Sequence, residues 1–106
     1  MKTGIVIYSN DAETVWNAFR LANFTQAMGD EVSVFLLGKG VESNLLDTDT
    51  FKVGEQWQTF LTGGGKIYAC GTCLEIHQLA APEGFVVATL KDLYEIIRSS
   101  DKVITF

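Results

Sequence analysis

Short apolar runs alternate with helix-length segments from one end of this chain to the other, and that alternation limits the folds open to it. Residues 4–8 (GIVIY) and 31–37 (EVSVFLL) are nearly continuous apolar runs, as strands buried on both faces require. Residues 66–70 (KIYAC), 85–87 (FVV) and 102–106 (KVITF) read as further strands. Between the first two runs, Val15, Phe19 and Ala22 recur at helical spacing, with Ala12 and Trp16 beside them. Asn10 and Glu13 have the spacing of a capping box, and Gly29 is placed to close the helix in a left-handed conformation. Residues 38–51 read as a long loop with at most one helical turn. Residues 52–62 read as a helix with Val53, Trp57, Phe60 and Leu61 inward, broken by Gly63-Gly64-Gly65. A short helix is expected over 73–80, and Pro82 and Gly84 mark a turn. Thr89 and Asp92 flank the start of a last helix, with Leu90, Leu93, Tyr94 and Ile97 on one face.

Strands alternating with helices imply parallel pairing, because each crossover must be covered by a helix. The expected fold is α/β: a small flavodoxin-like doubly wound domain over residues 1–106, with a mostly parallel five-stranded sheet and helices on both faces. In such sheets ligands bind beyond the carboxyl ends of the strands, near the point where strand order reverses. Cys70 closes the third strand at that edge. The loops at 9–11 and 38–51 leave the same edge. The cysteines, Asn10, Asp11 and the long loop are therefore expected to share one crevice.

Charge narrows the partners. The net charge is −5 and the pI about 4.6, so phosphate backbones and anionic membranes are repelled and neither nucleic acid nor membrane is an expected partner. No apolar run is long enough for a membrane span or a signal-peptide core, which places the chain in a reducing cytoplasm. Hydrophobic residues make up 47% of the sequence, and aromatics such as Trp16, Trp57 and Phe60 are more than one small core is expected to bury. Self-association is the expected outcome. Gly63-Gly64-Gly65-Lys66 lacks the spacing of a phosphate loop and precedes a strand. It reads as a turn, and no resident cofactor is expected. Asp47 and Asp49 read as a solvated acidic pair.

Both cysteines and the only histidine lie in KIYACGTCLEIHQL, residues 66–79. Four readings are open. The turn from strand to helix favours a thiolate on Cys70 or Cys73; His77, one helical turn after Cys73, is placed to contact it, and Gly71 leaves room for another molecule. Cysteines at this spacing can also form a disulfide, although no proline separates them as in thioredoxins. Cys70, Cys73 and His77 offer three metal ligands where structural zinc wants four. Lastly, both cysteines can be small apolar filler, since free cysteine is among the most buried residue types.

Ala69-Cys70-Gly71-Thr72-Cys73-Leu74, after a strand and a Gly-Gly turn, resembles the DsrE/DsrF-like (YchN-like) family. Ile5–Tyr8 with Asp11 and Glu13, then Leu21-Ala22, Gly29-Asp30-Glu31-Val32, Val34-Phe35-Leu36, Gly40-Val41 and Thr89-Leu90 extend the likeness along most of the chain. The resemblance implies assembly into trimers or hexamers and cytoplasmic sulfur trafficking with donor and acceptor proteins. It implies Cys70 as the cysteine that carries a persulfide, Cys73 as a second, resolving thiol, and His77 as local base or charge partner. The Cys-Gly-Thr-Cys branch often reads Arg-Gly where this chain has His77-Gln78, so here any positive charge depends on pH.

Overall fold

The computed structural model describes residues 1–106. The five strands are β1 (Lys2–Ile7), β2 (Glu31–Leu36), β3 (Lys66–Cys70), β4 (Phe85–Ala88) and β5 (Lys102–Thr105). They form one sheet in the order β4-β3-β2-β1-β5, and every neighbouring pair is parallel. The expected doubly wound α/β sheet is the one that forms. The helices are α1 (Ala12–Ala27), α2 (Val53–Thr62), α3 (Gly71–Ile76) and α4 (Leu90–Ser99), with a 3-10 segment at Gly38–Leu45.

Strand order explains the layering. From β1 to β4 the chain steps across the sheet in one direction, so right-handed crossovers put α1 and α2 on the same face. The step from β4 to β5 runs the other way and carries α4 to the opposite face. The strands consequently serve two cores. Ile5, Ile7, Val34, Leu36 and Ile67 join Val15, Phe19 and Phe60 in a large core under α1 and α2. Val6, Phe35, Cys70 and Ala88 meet Leu93 of α4 in a smaller one.

Local details differ from expectation. Asp11, not Asn10, caps α1: its carboxylate accepts the Thr14 N–H at 2.9 Å, the short reach that makes Asp a strong cap. Gly29 does adopt the left-handed conformation after the helix, at φ +98°. Residues 38–45, expected as loop, form the 3-10 segment. It is held by Gly40, where a side chain would collide with the Ile7 carbonyl oxygen. Asp47, exposed as expected, also accepts the Gly54 N–H at 2.7 Å and so satisfies the first turn of α2, whose own N-cap Lys52 makes no side-chain bond. On α4, Leu93 alone of the four expected apolar positions is buried, while Leu90, Tyr94 and Ile97 are exposed. No helix is long and apolar enough to cross a membrane.

Candidate functional site

The carboxyl ends of β3 and β4 open into a groove of about 740 Å³, with Cys70 and Cys73 in its lining. Leu37, Val87 and Leu90 form apolar walls, and Thr72, Thr89 and Glu75 sit among them. The chain leaves β3 through α3 and β4 through α4, toward opposite faces of the sheet, and the groove opens between these two diverging connections. Asn10 and Asp11 do not line it.

Local structure sets the two thiols apart. Cys70 ends β3 and is the N-cap of α3, with extended backbone (φ −60°, ψ 118°), but its side chain makes no capping bond. The sulfur is thus left for other partners. It faces the smaller core and is 4% exposed. The helix begins directly at Gly71, earlier than the expected 73–80, and ends at Ile76. Cys73 therefore lies inside the first turn of α3. Gly71 was expected to admit another molecule. Instead the space beside it belongs to β4: an added Cβ would meet Val87 Cγ1 at 3.2 Å and the Ala88 carbonyl oxygen at 3.6 Å. Glycine here lets α3 start tight against β4.

Cys73 is half-buried and touches both cores. The Gly38 N–H donates to its sulfur at 3.2 Å. Burial pushes the Cys73 thiol above its ordinary range; hydrogen bonding to Cys70 pushes the same way, and the Gly38 N–H opposes both. Cys73 is the thiol that keeps its proton. Gly38 is the functional residue that sequence reasoning missed. Its Gly-Lys-Gly motif signalled a turn, and nothing in it marked a backbone donor for sulfur.

His77 meets Cys73 through the backbone, its N–H donating to the Cys73 carbonyl oxygen at 3.0 Å. Its Nδ1 lies 2.7 Å from Glu42 Oε2, and the Asn10 side-chain amide donates to Glu42 Oε1 at 3.2 Å. A carboxylate only accepts, so Nδ1 carries the hydrogen. These bonds hold the Glu42 carboxyl below its usual range, Asn10 contributing most and His77 next. The result ties the end of α3 to the 3-10 segment and to the loop before α1. Asn10 thus belongs to the surroundings of the groove without lining it. Cys70 and Cys73 are both reduced, and no three His, Cys, Asp or Glu side chains converge as metal ligands would.

Known proteins share this architecture. The YchN protein of Escherichia coli superposes with a TM-score of 0.85 at 20% identity, covering 100% of both chains. A protein of unknown function from Methanobacterium thermoautotrophicum gives 0.79 at 17% identity, over 99% of this chain and 98% of its own. In sequence, the chain is 30% identical over 102 residues to an uncharacterized protein of Methanocaldococcus jannaschii, covering 89% of this chain and 88% of the relative. A protein of Methanopyrus kandleri, also uncharacterized, is 30% identical over 100 residues, covering 89% of this chain and 83% of its own. The profile of the DsrE/DsrF-like family matches residues 1–106. With that match, and with the strand-end Cys-Gly-Thr-Cys segment set in a YchN-like fold, the chain belongs to the DsrE/DsrF-like family, which is associated with sulfur relay.

Proposed function

We propose that the chain is a cytoplasmic sulfur-relay protein that accepts sulfane sulfur on Cys70 and passes it on as a persulfide. The observation that carries this reading is the asymmetry of the two thiols in the groove. Cys70 closes β3 in the groove lining with a side chain that makes no capping bond, while Cys73 lies within the first turn of α3 with the Gly38 N–H on its sulfur, and burial pushes its thiol up. The Cys70 thiolate attacks the outer sulfur of a donor, a new S–S bond forms, and the donor leaves with one sulfur fewer. In transfer, an acceptor thiolate attacks the outer sulfur of the persulfide and the Cys70 thiolate leaves. Without an acceptor, Cys73 is the resolving thiol, its thiolate attacking the inner sulfur, expelling hydrosulfide and closing a Cys70–Cys73 disulfide that an external dithiol must reduce. His77, engaged by Glu42, holds α3 in place; this reading gives it no part as a base toward Cys73.

Incubating the protein with a sulfur donor and weighing it intact tests the assignment. The expected result is one added sulfur atom on the wild type and on Cys73→Ser, and none on Cys70→Ser. Sulfur gained by Cys70→Ser but not by Cys73→Ser would reverse the roles. A second reading rests on the burial of Cys70: the chain is a non-enzymatic oligomeric module that binds a ligand or protein, and its thiols are inert. Slow alkylation of both cysteines, with no sulfur gained from any donor, would favour it. In either case we propose that the chain works as a homo-oligomer, a trimer or hexamer.

A further inference from the structure

We propose that the groove takes its sulfur from an uncharged sulfane chain with apolar ends, and that it turns away anionic donors of the same intrinsic reactivity. The proposal rests on the sulfur-relay reading above and adds the class of donor.

Charge is the first ground. The groove lining contains no lysine, arginine or histidine, and apart from the thiols its only ionisable group is Glu75. The cations beside it in the chain already have carboxylate neighbours: Lys39 acts on Glu42 and Lys91 on Asp92. A helix N-terminus normally attracts anions, but at the start of α4 the Asp92 carboxylate already supplies the negative charge. Asp92 Oδ2 accepts the Thr89 N–H at 2.8 Å, and the Asp92 N–H is turned to the Thr89 hydroxyl. The helix α3 has six residues, too few for a large macrodipole. An anion entering here meets Glu75 and a chain of net charge −5, with nothing to offset them.

Shape and polarity are the second ground. Cys70 is 4% exposed, so a donor reaches it only with a slim, unbranched run of sulfur. Thiosulfate offers its sulfane sulfur on a dianion; an organic trisulfide offers it in a neutral divalent chain. The walls at Leu37, Val87 and Leu90 are apolar and favour apolar substituents through burial. The volume, about 740 Å³, is of the size that holds small ligands.

With a trisulfide RSSSR the chemistry closes without another reagent. The Cys70 thiolate attacks the central sulfur, forming Cys70–S–S–S–R and expelling RS⁻. That RS⁻ attacks the sulfur bearing R, forming RSSR and expelling the Cys70 persulfide anion. One sulfane sulfur moves, one disulfide leaves, and charge is conserved.

The test compares diallyl trisulfide with glutathione trisulfide, which share the reacting S–S–S unit and differ in charge and polarity. Sulfur loading on the purified protein is followed by intact mass, and each rate is divided by the same donor's rate with free mercaptoethanol. The expected normalised preference is about tenfold for the diallyl compound, the size of a modest charge repulsion near a protein surface. Glu75→Lys, at an exposed position, should narrow that preference by speeding glutathione trisulfide more than diallyl trisulfide. Equal normalised rates with the wild type overturn the donor class while the relay reading stands. Absence of loading from either donor, on protein whose thiols alkylate, overturns both.

Discussion

Cys70 and Cys73 are close in sequence, yet their surroundings differ, and those of Cys73 push its thiol up. Cys70 raises the Cys73 pKa through hydrogen bonding, adding to the effect of burial. Cys70→Ala removes that contribution, so the pH profile of Cys73 alkylation should move to lower pH. Iodoacetamide rates across pH read this directly, and a profile that stays put or moves up would contradict it. Glu42 gives a second residue-level prediction. Its carboxyl is held below the usual 4.5 by Asn10 and His77. A depressed folded pKa contributes stability above the unfolded value, and that contribution is lost as pH falls through the folded one. Glu42→Gln should therefore flatten the acid side of the melting-temperature curve below about pH 4.5, the ordinary value of this carboxyl; an unchanged slope there refutes the role. The sequence pointed to Cys70 because a strand end can be read locally. It could not point to Gly38 or Glu42, whose contacts with Cys73 and His77 each span 35 positions. It also exchanged Asn10 for Asp11, because adjacent residues are equally good caps until the backbone chooses one.

The 3-10 segment is the element on which the groove depends most. It supplies the Gly38 N–H to Cys73 and the Glu42 carboxylate to His77. Its own anchor is the close approach of Gly40 to β1. Gly40→Ala drives a methyl into the Ile7 carbonyl, and rigid backbone on both sides leaves little room to relax. A loss of at least about 2 kcal/mol is expected, measured by denaturant unfolding; a loss under half of that would mean the segment moves freely. The same variant should slow Cys73 alkylation at a given pH, because the displaced segment withdraws its N–H. For α4 the expected change is smaller. Thr89 and Asp92 form a reciprocal capping box, and Thr89→Ala should cost about 1 kcal/mol. This cap was legible because both partners fall within one turn. The 3-10 segment was not, since residues 41–51 carry no clear period and owe their shape to the β1 carbonyl beneath them. The early start of α3 was hidden too: Gly71 looked like space for a ligand, and β4 fills it.

At the scale of the whole molecule, strand order leaves the two faces of the sheet unequally covered. Three successive crossovers place α1 and α2 on one face, and the single reversal gives the other only α4. Ten residues of helix do not cover five strands, and apolar side chains are left exposed on this side. Leu90 is 64% exposed, Tyr94 54% and Ile97 48% on α4, with Val86 and Val103 exposed on the two edge strands. The helical period was read correctly; it locates an apolar stripe without saying what covers it. Leu93 turns inward with Ile96 beside it, and the rest of the stripe faces outward. Apolar surface gathered on one face marks an interaction site more often than scattered residues do. A second copy of the chain is the partner expected there. Multi-angle light scattering at micromolar concentration should give a trimer or hexamer for the wild type. Tyr94→Ser combined with Ile97→Glu should give a monomer. Both side chains are exposed in the isolated fold, so the monomer should keep its parallel sheet and its far-ultraviolet circular dichroism, and the loss should appear as a melting temperature that no longer rises with concentration. A wild type that runs as a clean monomer would refute self-association. A double variant that assembles as the wild type does would move the interface to another face, such as the exposed Phe24 and Met28 at the end of α1.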